Sequence, residues 1–504
     1  MSAKSSALKK LAGETAIYGT STIVARVLNF LLVPMYTRVF VDQAQYGVVT
    51  EFMAYIAVLQ VLLVLGLETG CFRYASLAQQ QNGGKGGEKV FSSALTTTGI
   101  FSLLFFLACF FWRGSIASAL GYEGNLKCVV YVAGILLLDS VTAILFAKLR
   151  YEHRALKFAL IKTVKICCEL GFNLLFFLWA PGYFSSHAHA LLARFIGPVP
   201  EFNYVLFSVF LSCVVCVLFF VPDLLRKATY GIDKTLWPKL MMYSLPLMIA
   251  GLPGILNDFS DRLLFRFLMP EEIFRTQMGI YQAGVKLAVL INLFIQMFRY
   301  AAEPFFFGES AKKDAKDTYA KVMNYFTAFC MLVYLGILLY IDLFELILGS
   351  SYREGVVVVP VMALAYVLLG IYFNASIWIK LSGKTGYAVL ITSAGLLVTL
   401  AVNLLFMPRF GYMAAAWGHL ASYLVMLVIC VILGRKVYPV SYEWKKVVIY
   451  VFAGVVIYLV STLFHHLPIV PRLALNTLLL GGYVLIWLRV ERLYGTLRRL
   501  LQRR

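Results

Sequence analysis

Hydrophobic residues in this chain fall into long blocks. Fourteen apolar windows stand at about residues 11–33, 43–67, 90–112, 126–147, 157–180, 203–221, 240–268, 279–298, 322–341, 356–379, 386–406, 412–433, 447–464 and 473–490. Each comes near the ~20 residues that an α-helix needs to cross a bilayer. The first window is amphipathic. A spacing of 4, 3, 4 and 3 puts Thr15, Gly19, Thr22, Arg26 and Asn29 on one helical face. Ile17, Ile23, Val24, Leu28, Leu31 and Leu32 fill the remainder. Arg26 lies roughly 12 Å along the axis from Pro34, at 1.5 Å per residue. From that depth its side chain cannot easily snorkel to water, so it is expected to face a bundle interior or a wet cavity.

Composition agrees with the pattern and changes the picture only in its charge. Of 504 residues, 61% are hydrophobic and 14% charged, with a mean hydropathy of +0.81. A soluble domain carries about 25% charged residues. The net charge of +20 could suggest nucleic acid, but cytoplasmic loops of membrane proteins collect Lys and Arg without any such partner. With the N-terminus inside, alternating segments hold 31 basic residues inside and 10 outside. That split predicts a multi-pass membrane protein of fourteen helices with both termini cytoplasmic. Lys4, Lys9 and Lys10 precede the first window as in a signal peptide, but no small-residue cleavage site follows, and a retained first helix is expected. Nine cysteines are scattered without metal-ligand spacing. The Cys213–Cys216 pair lies within an apolar run, where packed thiols are the expectation. QQQNGGKGGEK (79–89) reads as a flexible inside loop, and His187 and His189 as solvated residues of the outside segment 181–202.

The chain also repeats itself. YTRVFVDQAQYGVV (36–49) ends the first helix and starts the second, and FRFLMPEEIFRTQMGIY (265–281) does the same for the seventh and eighth. Gly47 aligns with Gly279, and Asn173 of FNLLFFLWAPG with Asn403 of VNLLFMPRFG, at nearly the same offset. A repeat of six helices keeps both copies in one orientation, which predicts a parallel duplication. The expected domains are a six-helix lobe at 1–222, a basic linker at 223–239, a second lobe at 240–436, and two appended helices with a basic tail at 437–504. Paired membrane lobes around a cavity are a transporter architecture.

Polar residues inside apolar windows are the candidate functional groups. In the seventh window Pro246, Gly251, Pro253 and Gly254 are expected to interrupt or kink the helix. Asp258 and Arg262 are spaced to pair, with Asn257 and Asp261 as a neighbouring polar edge; an interfacial ion pair explains them equally well. Gln282, Lys286 and Gln296 share a stripe of the eighth helix, and Lys286 is read as a cavity residue. Glu51 and Glu68 in the second helix and Asp139 in the fourth are carboxylates in apolar runs, suited to carrying H+ or Na+ or to pairing with Arg26 and its neighbours. Pairing is the reading for Glu51, and ion coupling for Asp139. Lys162, Lys165 and Glu169 are expected on the basic rim, with Lys165 and Glu169 paired. No Walker A loop, HExxH or dinucleotide fingerprint occurs, so the expectation is a non-enzyme without cofactor or metal.

VARVLNFLLVPMYTRVF (24–40) with Tyr46-Gly47, and NDFSDRLLFRFL…MGIYQAGVKLA (257–288), resemble the polysaccharide exporters. The closest pattern is that of the Wzx-type O-antigen repeat-unit flippases of the multidrug/oligosaccharidyl-lipid/polysaccharide (MOP) superfamily. The likeness covers roughly residues 10–440 and implies an all-α polytopic, MATE-like fold of two six-helix lobes plus two C-terminal helices. It implies flipping of an undecaprenyl-diphosphate-linked oligosaccharide to the periplasmic leaflet of the bacterial inner membrane, with membrane lipids, a coupling H+ or Na+ and polysaccharide polymerase machinery as partners. Because two lobes already form the cavity, a monomer is expected. By the resemblance Arg26 and Lys286 would be cavity cations, Thr22, Asn29 and Gln282 polar cavity residues, and Asp261-Arg262 the helix-7 motif. The long 181–202 segment departs from the family pattern. A lipid II flippase or a cation-coupled drug exporter of the same superfamily is the alternative. A membrane glycosyltransferase or polymerase is disfavoured because 181–202 offers only Glu201 as an acidic group.

Overall fold

The computed structural model describes residues 19–82, 86–186, 191–197, 199–225, 230–310, 312 and 314–491. Its described residues are helical, with no strand among them. Among the described residues, thirteen helices are long and apolar enough to cross a membrane. In chain order they are α1 (Gly19–Val39), α2 (Gln43–Ala78), α3 (Gly87–Phe111), α4 (Leu126–Tyr151) and α5 (Ala155–Ser185), then α7 (Trp237–Leu268), α8 (Phe274–Glu309), α9 (Ala315–Leu338) and α10 (Ser350–Ser382). The last four are α11 (Gly386–Phe410), α12 (Tyr412–Val437), α13 (Trp444–Thr462) and α14 (Ile469–Val490). The sixth predicted segment forms α6 (Phe202–Leu218), whose 17 residues extend only about 25 Å. Most of α6 is buried in the protein, which removes the need to match the bilayer. Thr15, the N-terminal lysines, Lys85, His187, His189 and the C-terminal tail lie outside the described residues. On either side of residues 83–85 the expected flexible loop is helical, ending at Asn82 and resuming at Gly86.

The chain divides into two compact units, Met1–Gly279 and Ile280–Arg504. The division falls in the first turns of α8 and describes packing, whereas the sequence repeat describes chain topology. In the first unit α2 breaks where the sequence predicts one helix. Leu65 (φ 56°) and Gly66 (φ 67°) take left-handed conformations between helical segments Gln43–Val64 and Leu67–Asn82. Glycine is needed at 66 twice over: its φ is strained for other residues, and a Cβ there would lie 2.4 Å from the Ser244 carbonyl oxygen of α7. α7 runs helical from Trp237 to Leu268 with Pro246 and Pro253 inside it, so of the expected interruption or kink no interruption occurs. α5 contains a π-helical turn at Leu175–Trp179.

The linker is more ordered than its composition suggests. Gly231 donates its N–H to Thr96 Oγ1 (3.0 Å), Asp233 its N–H to Ser93 Oγ (3.0 Å), and Trp237 Nε1 to Thr97 Oγ1 (2.9 Å). Ser92 donates to the Gly231 carbonyl (3.1 Å). The SSALTTT run of α3 is therefore a hydroxyl rail that holds the entry to α7. Asp233 caps the turn, accepting from the Thr235 hydroxyl (2.6 Å) and the Thr235 and Leu236 N–H groups (3.0 and 3.2 Å). Those bonds, the Thr235 hydroxyl first, hold its carboxyl below the usual carboxylate range.

In the second unit α14 is hydrogen-bonded to α9 and to the residue that follows it. Asn476 Nδ2 donates to the Leu339 carbonyl (2.6 Å) and Tyr483 to the Ala328 carbonyl (3.1 Å). Gly284 of α8 and Gly355 of α10 approach backbone to backbone, each leaving no room for a Cβ (2.0 and 2.2 Å from the facing carbonyl oxygens). Small residues at such crossings replace the hydrophobic driving force that lipid does not supply.

Candidate functional site

The sequence places Arg26 on the polar face of α1, and the structure gives that face an exterior. Val24, Val27 and Leu31 are exposed on one side of the helix. Arg26 and Asn29 are exposed, and Thr22 is half-buried, on the other. At 100° per residue the two sets are about 165° apart. The apolar side suits lipid. The opposite side presents a guanidinium and an amide, which hydrocarbon would penalise and a wet cavity would not. After a turn at Leu31–Leu32, α1 packs firmly: Val33, Tyr36, Thr37 and Phe40 are buried, and Tyr36 donates to Asn173 Oδ1 of α5 (2.8 Å). Asn173, one of the repeat landmarks, thus anchors the lower part of α1 beside the π-helical turn.

Glu51 of α2 is a fully buried intramembrane charge, 0% exposed, with several partners. Arg266 of α7 brings Nε and Nη2 each to 2.6 Å from Oε1. Tyr55 donates to Oε1 (2.8 Å) and Tyr122 to Oε2 (2.6 Å). Arg266 also faces the rings of Phe274 (5.0 Å) and Tyr122 (5.6 Å). Arg275 lies over Tyr122 (4.7 Å) and points Nη2 at the Gly121 carbonyl (3.3 Å). The carboxylate has donors on both oxygens and an arginine in ion-pair contact, which is what burial of such a charge requires. Glu51 does pair, but with Arg266 in place of the expected Arg26. Arg266 lies two residues from the end of the seventh apolar window, and because α7 stays helical to Leu268 it is held inside the bundle. The aromatic partners Tyr55 and Tyr122 carry no signal that distinguishes them among thirty tyrosines.

The two repeat glycines sit beside this network. A Cβ on Gly47 would come 1.9 Å from the Arg275 carbonyl oxygen, and one on Gly279 would come 2.1 Å from that of Gln43. Each glycine faces the residue four positions before the other, a locally two-fold crossing of α2 with the first turns of α8.

Asp139 of α4 accepts from Lys165 Nζ of α5 (2.6 Å) and Cys213 Sγ of α6 (3.3 Å). Lys165 therefore reaches into the helix bundle to Asp139, where the sequence suggested a basic rim and Glu169. Lys162 lies over the rings of Phe158 (5.1 Å) and Phe146 (5.7 Å). Glu68 pairs with Arg150 (2.8 Å). In α7, Asp261 is fully buried and 3.8 Å from Arg262 Nη1, which also donates to the Asp258 carbonyl (2.7 Å). Gln282 and Lys286 are half-buried on α8 in the second unit. No cluster of metal-ligating side chains occurs among the described residues.

A family model described as "Polysaccharide biosynthesis protein" matches residues 11–308, more than half of the sequence. The chain belongs to this family. No curated protein matches it closely enough to be aligned. Among solved structures, "Lipid II flippase MurJ, inward closed conformation" is similar with a TM-score of 0.70 at 12% identity, covering 94% of this chain and 99% of that one. "Inward-facing conformation of a multidrug resistance MATE family transporter of the MOP superfamily" gives 0.64 at 13% identity, covering 82% and 94%. A "MATE in complex with MaD3S" gives 0.57 at 13% identity, covering 85% and 95%. At such identities the likeness establishes the fold alone: the described residues fold like these flippase and transporter structures.

Proposed function

We propose that this protein flips an undecaprenyl-diphosphate-linked oligosaccharide from the cytoplasmic to the periplasmic leaflet of the inner membrane by alternating access. The observation that carries the reading is Arg26, an arginine on the polar, exposed face of a membrane-spanning helix in a polysaccharide biosynthesis protein. A diphosphate bears about two negative charges, and taking it through hydrocarbon without cationic partners is prohibitive. A guanidinium can hold phosphate oxygens in a bidentate fork. Thr22 and Asn29 lie on the same face and suit sugar hydroxyls. A second cation contact is proposed at Lys286, with Gln282 one turn away. A drug exporter for cationic compounds would want carboxylates at these positions. Lipid II is the second reading, favoured by the similarity to a lipid II flippase over nearly its full length.

Deleting the gene and analysing lipid-linked intermediates separates the readings: accumulated undecaprenyl-linked repeat units support the first, accumulated lipid II the second, and neither excludes both. Loss of one charged hydrogen-bonding contact is worth about 1.5–3 kcal/mol, so Arg26→Ala should lower surface glycan about ten- to hundredfold at normal membrane abundance. Undiminished glycan would remove Arg26 from the mechanism.

Coupling to H+ or Na+ is proposed to involve Asp139, which must then exchange Lys165 for the ion. Asp139→Asn should uncouple transport from the ion gradient; transport by this variant that stays equally sensitive to collapse of the gradient assigns Asp139 a purely structural role.

A further inference from the structure

In the second unit a cavity of about 40 Å³ lies among α8, α9 and α10, near the C-terminal end of α8. Phe298, Phe306, Phe326 and Phe373 form its apolar walls. Its polar side is built from Arg299, Glu303 and Lys380. Arg299 Nε is 3.0 Å from Glu303 Oε1, and Lys380 Nζ makes a short ion pair with the same oxygen. The Arg299 guanidinium lies over the Phe373 ring at 4.5 Å. Two cations thus share one carboxylate, leaving one positive charge uncompensated within the cluster.

Asn374 supplies an independent sign of a ligand. It lines the cavity, is 3% exposed, and neither its amide nitrogen nor its amide oxygen has a hydrogen-bond partner among the described residues. An unpaired buried polar group costs about 1–3 kcal/mol, a cost that a bound molecule would remove.

We propose that this cavity binds the phosphate group of a phosphate ester. The donors present are a guanidinium, an ammonium and an amide N–H₂, which match a group rich in acceptor oxygens. A cation would meet net repulsion, and a neutral sugar would leave the excess charge unanswered. At about 10–15 Å³ per water, the cavity has room for about three waters, enough for phosphate oxygens and too small for a nucleotide. The phenylalanine walls favour a phosphate esterified to an apolar chain. Basic pockets between membrane helices are known to hold lipid head groups. An anionic phospholipid and a soluble phosphate share the chemistry and differ only in the attached chain. The inference does not depend on what cargo the protein moves. Glu303 holds both cations in the ligand's place, so removing its charge should release them for binding.

The test uses the full chain in nanodiscs of phosphatidylcholine, titrated with dioctanoyl phosphatidic acid and, separately, with inorganic phosphate, with binding read by native mass spectrometry. Replacing both Arg299→Gln and Lys380→Gln should weaken binding by at least about tenfold, and Asn374→Leu by about threefold or more. Glu303→Gln should tighten it, a gain that misfolding could not produce. Binding of the phospholipid alone assigns the site to a membrane lipid, and competition by inorganic phosphate assigns it to a soluble ester. Failure of both probes to bind the unaltered protein, or equal binding across all variants, overturns the proposal.

Discussion

Glu51→Ala is expected to destabilise the protein by about 3–5 kcal/mol, the range for removing one partner of a buried ion pair. The cause is the stranding of Arg266, whose Nε and Nη2 both lie 2.6 Å from the lost carboxylate, and of the Tyr55 and Tyr122 hydroxyls. Because the network ties α2 and α7 to the segment between α3 and α4, the loss should be cooperative across the first unit. Heating the detergent-solubilised protein and following the monodisperse fraction by size-exclusion chromatography measures it. Arg266→Ala should fall comparably. The double change Glu51→Leu with Arg266→Leu should recover much of the stability, since an apolar pair carries no desolvation penalty. Singles that match the unaltered protein, or a double that sums the two losses, would show that the pair does not hold the unit together.

The second large effect is expected at Gly279→Val. A Cβ there would lie 2.1 Å from the Gln43 carbonyl oxygen and 3.0 Å from the Gly47 nitrogen, both backbone atoms that no side-chain rotation can move. Overpacking typically costs about 1–3 kcal/mol and sometimes more. With two backbones in direct opposition, the first turns of α8 must separate from α2, and the folded yield in membranes should drop severely. Gly47→Val should behave alike, since its Cβ would meet the Arg275 carbonyl at 1.9 Å. Gly481→Val, where a Cβ meets nothing within 4 Å, is the control and should be tolerated.

Which residues share a helical face was legible in the sequence. Arg26 is an example: its spacing with Thr22 and Asn29 defines a face, and the structure leaves that face exposed opposite Val24, Val27 and Leu31. Positions whose role depends on a partner far along the chain were not. Glu51 and Arg266 are 215 residues apart, and nothing in either local pattern names the other. Arg266 was also obscured by its position: a charge two or three residues from the end of an apolar window looks like a loop residue until the helix is seen to continue. Lys165 offers the same lesson, since Glu169 at i+4 is the natural local partner but Asp139 on α4 is the one 2.6 Å away. Asn374 shows a third kind of limit, because an asparagine in an apolar run becomes informative only when its amide is found without a partner beside a cavity.

The sequence by itself determined that this is an all-helical membrane protein of about fourteen apolar segments, with motifs that resemble those of a polysaccharide biosynthesis family and an arginine on the polar face of its first helix. Those properties follow from hydropathy and helical period, which are local and additive along the chain. Only the tertiary structure decided that α2 breaks at Leu65–Gly66 while α7 continues through two prolines. It also decided that Glu51 belongs to Arg266, and that Gly47 and Gly279 meet at a crossing. The physical reason is common to all of these. In a bilayer, backbone breaks, buried charges and close helix contacts are permitted or forbidden by what packs against them. That information resides in pairs of distant residues and appears only when the chain is folded.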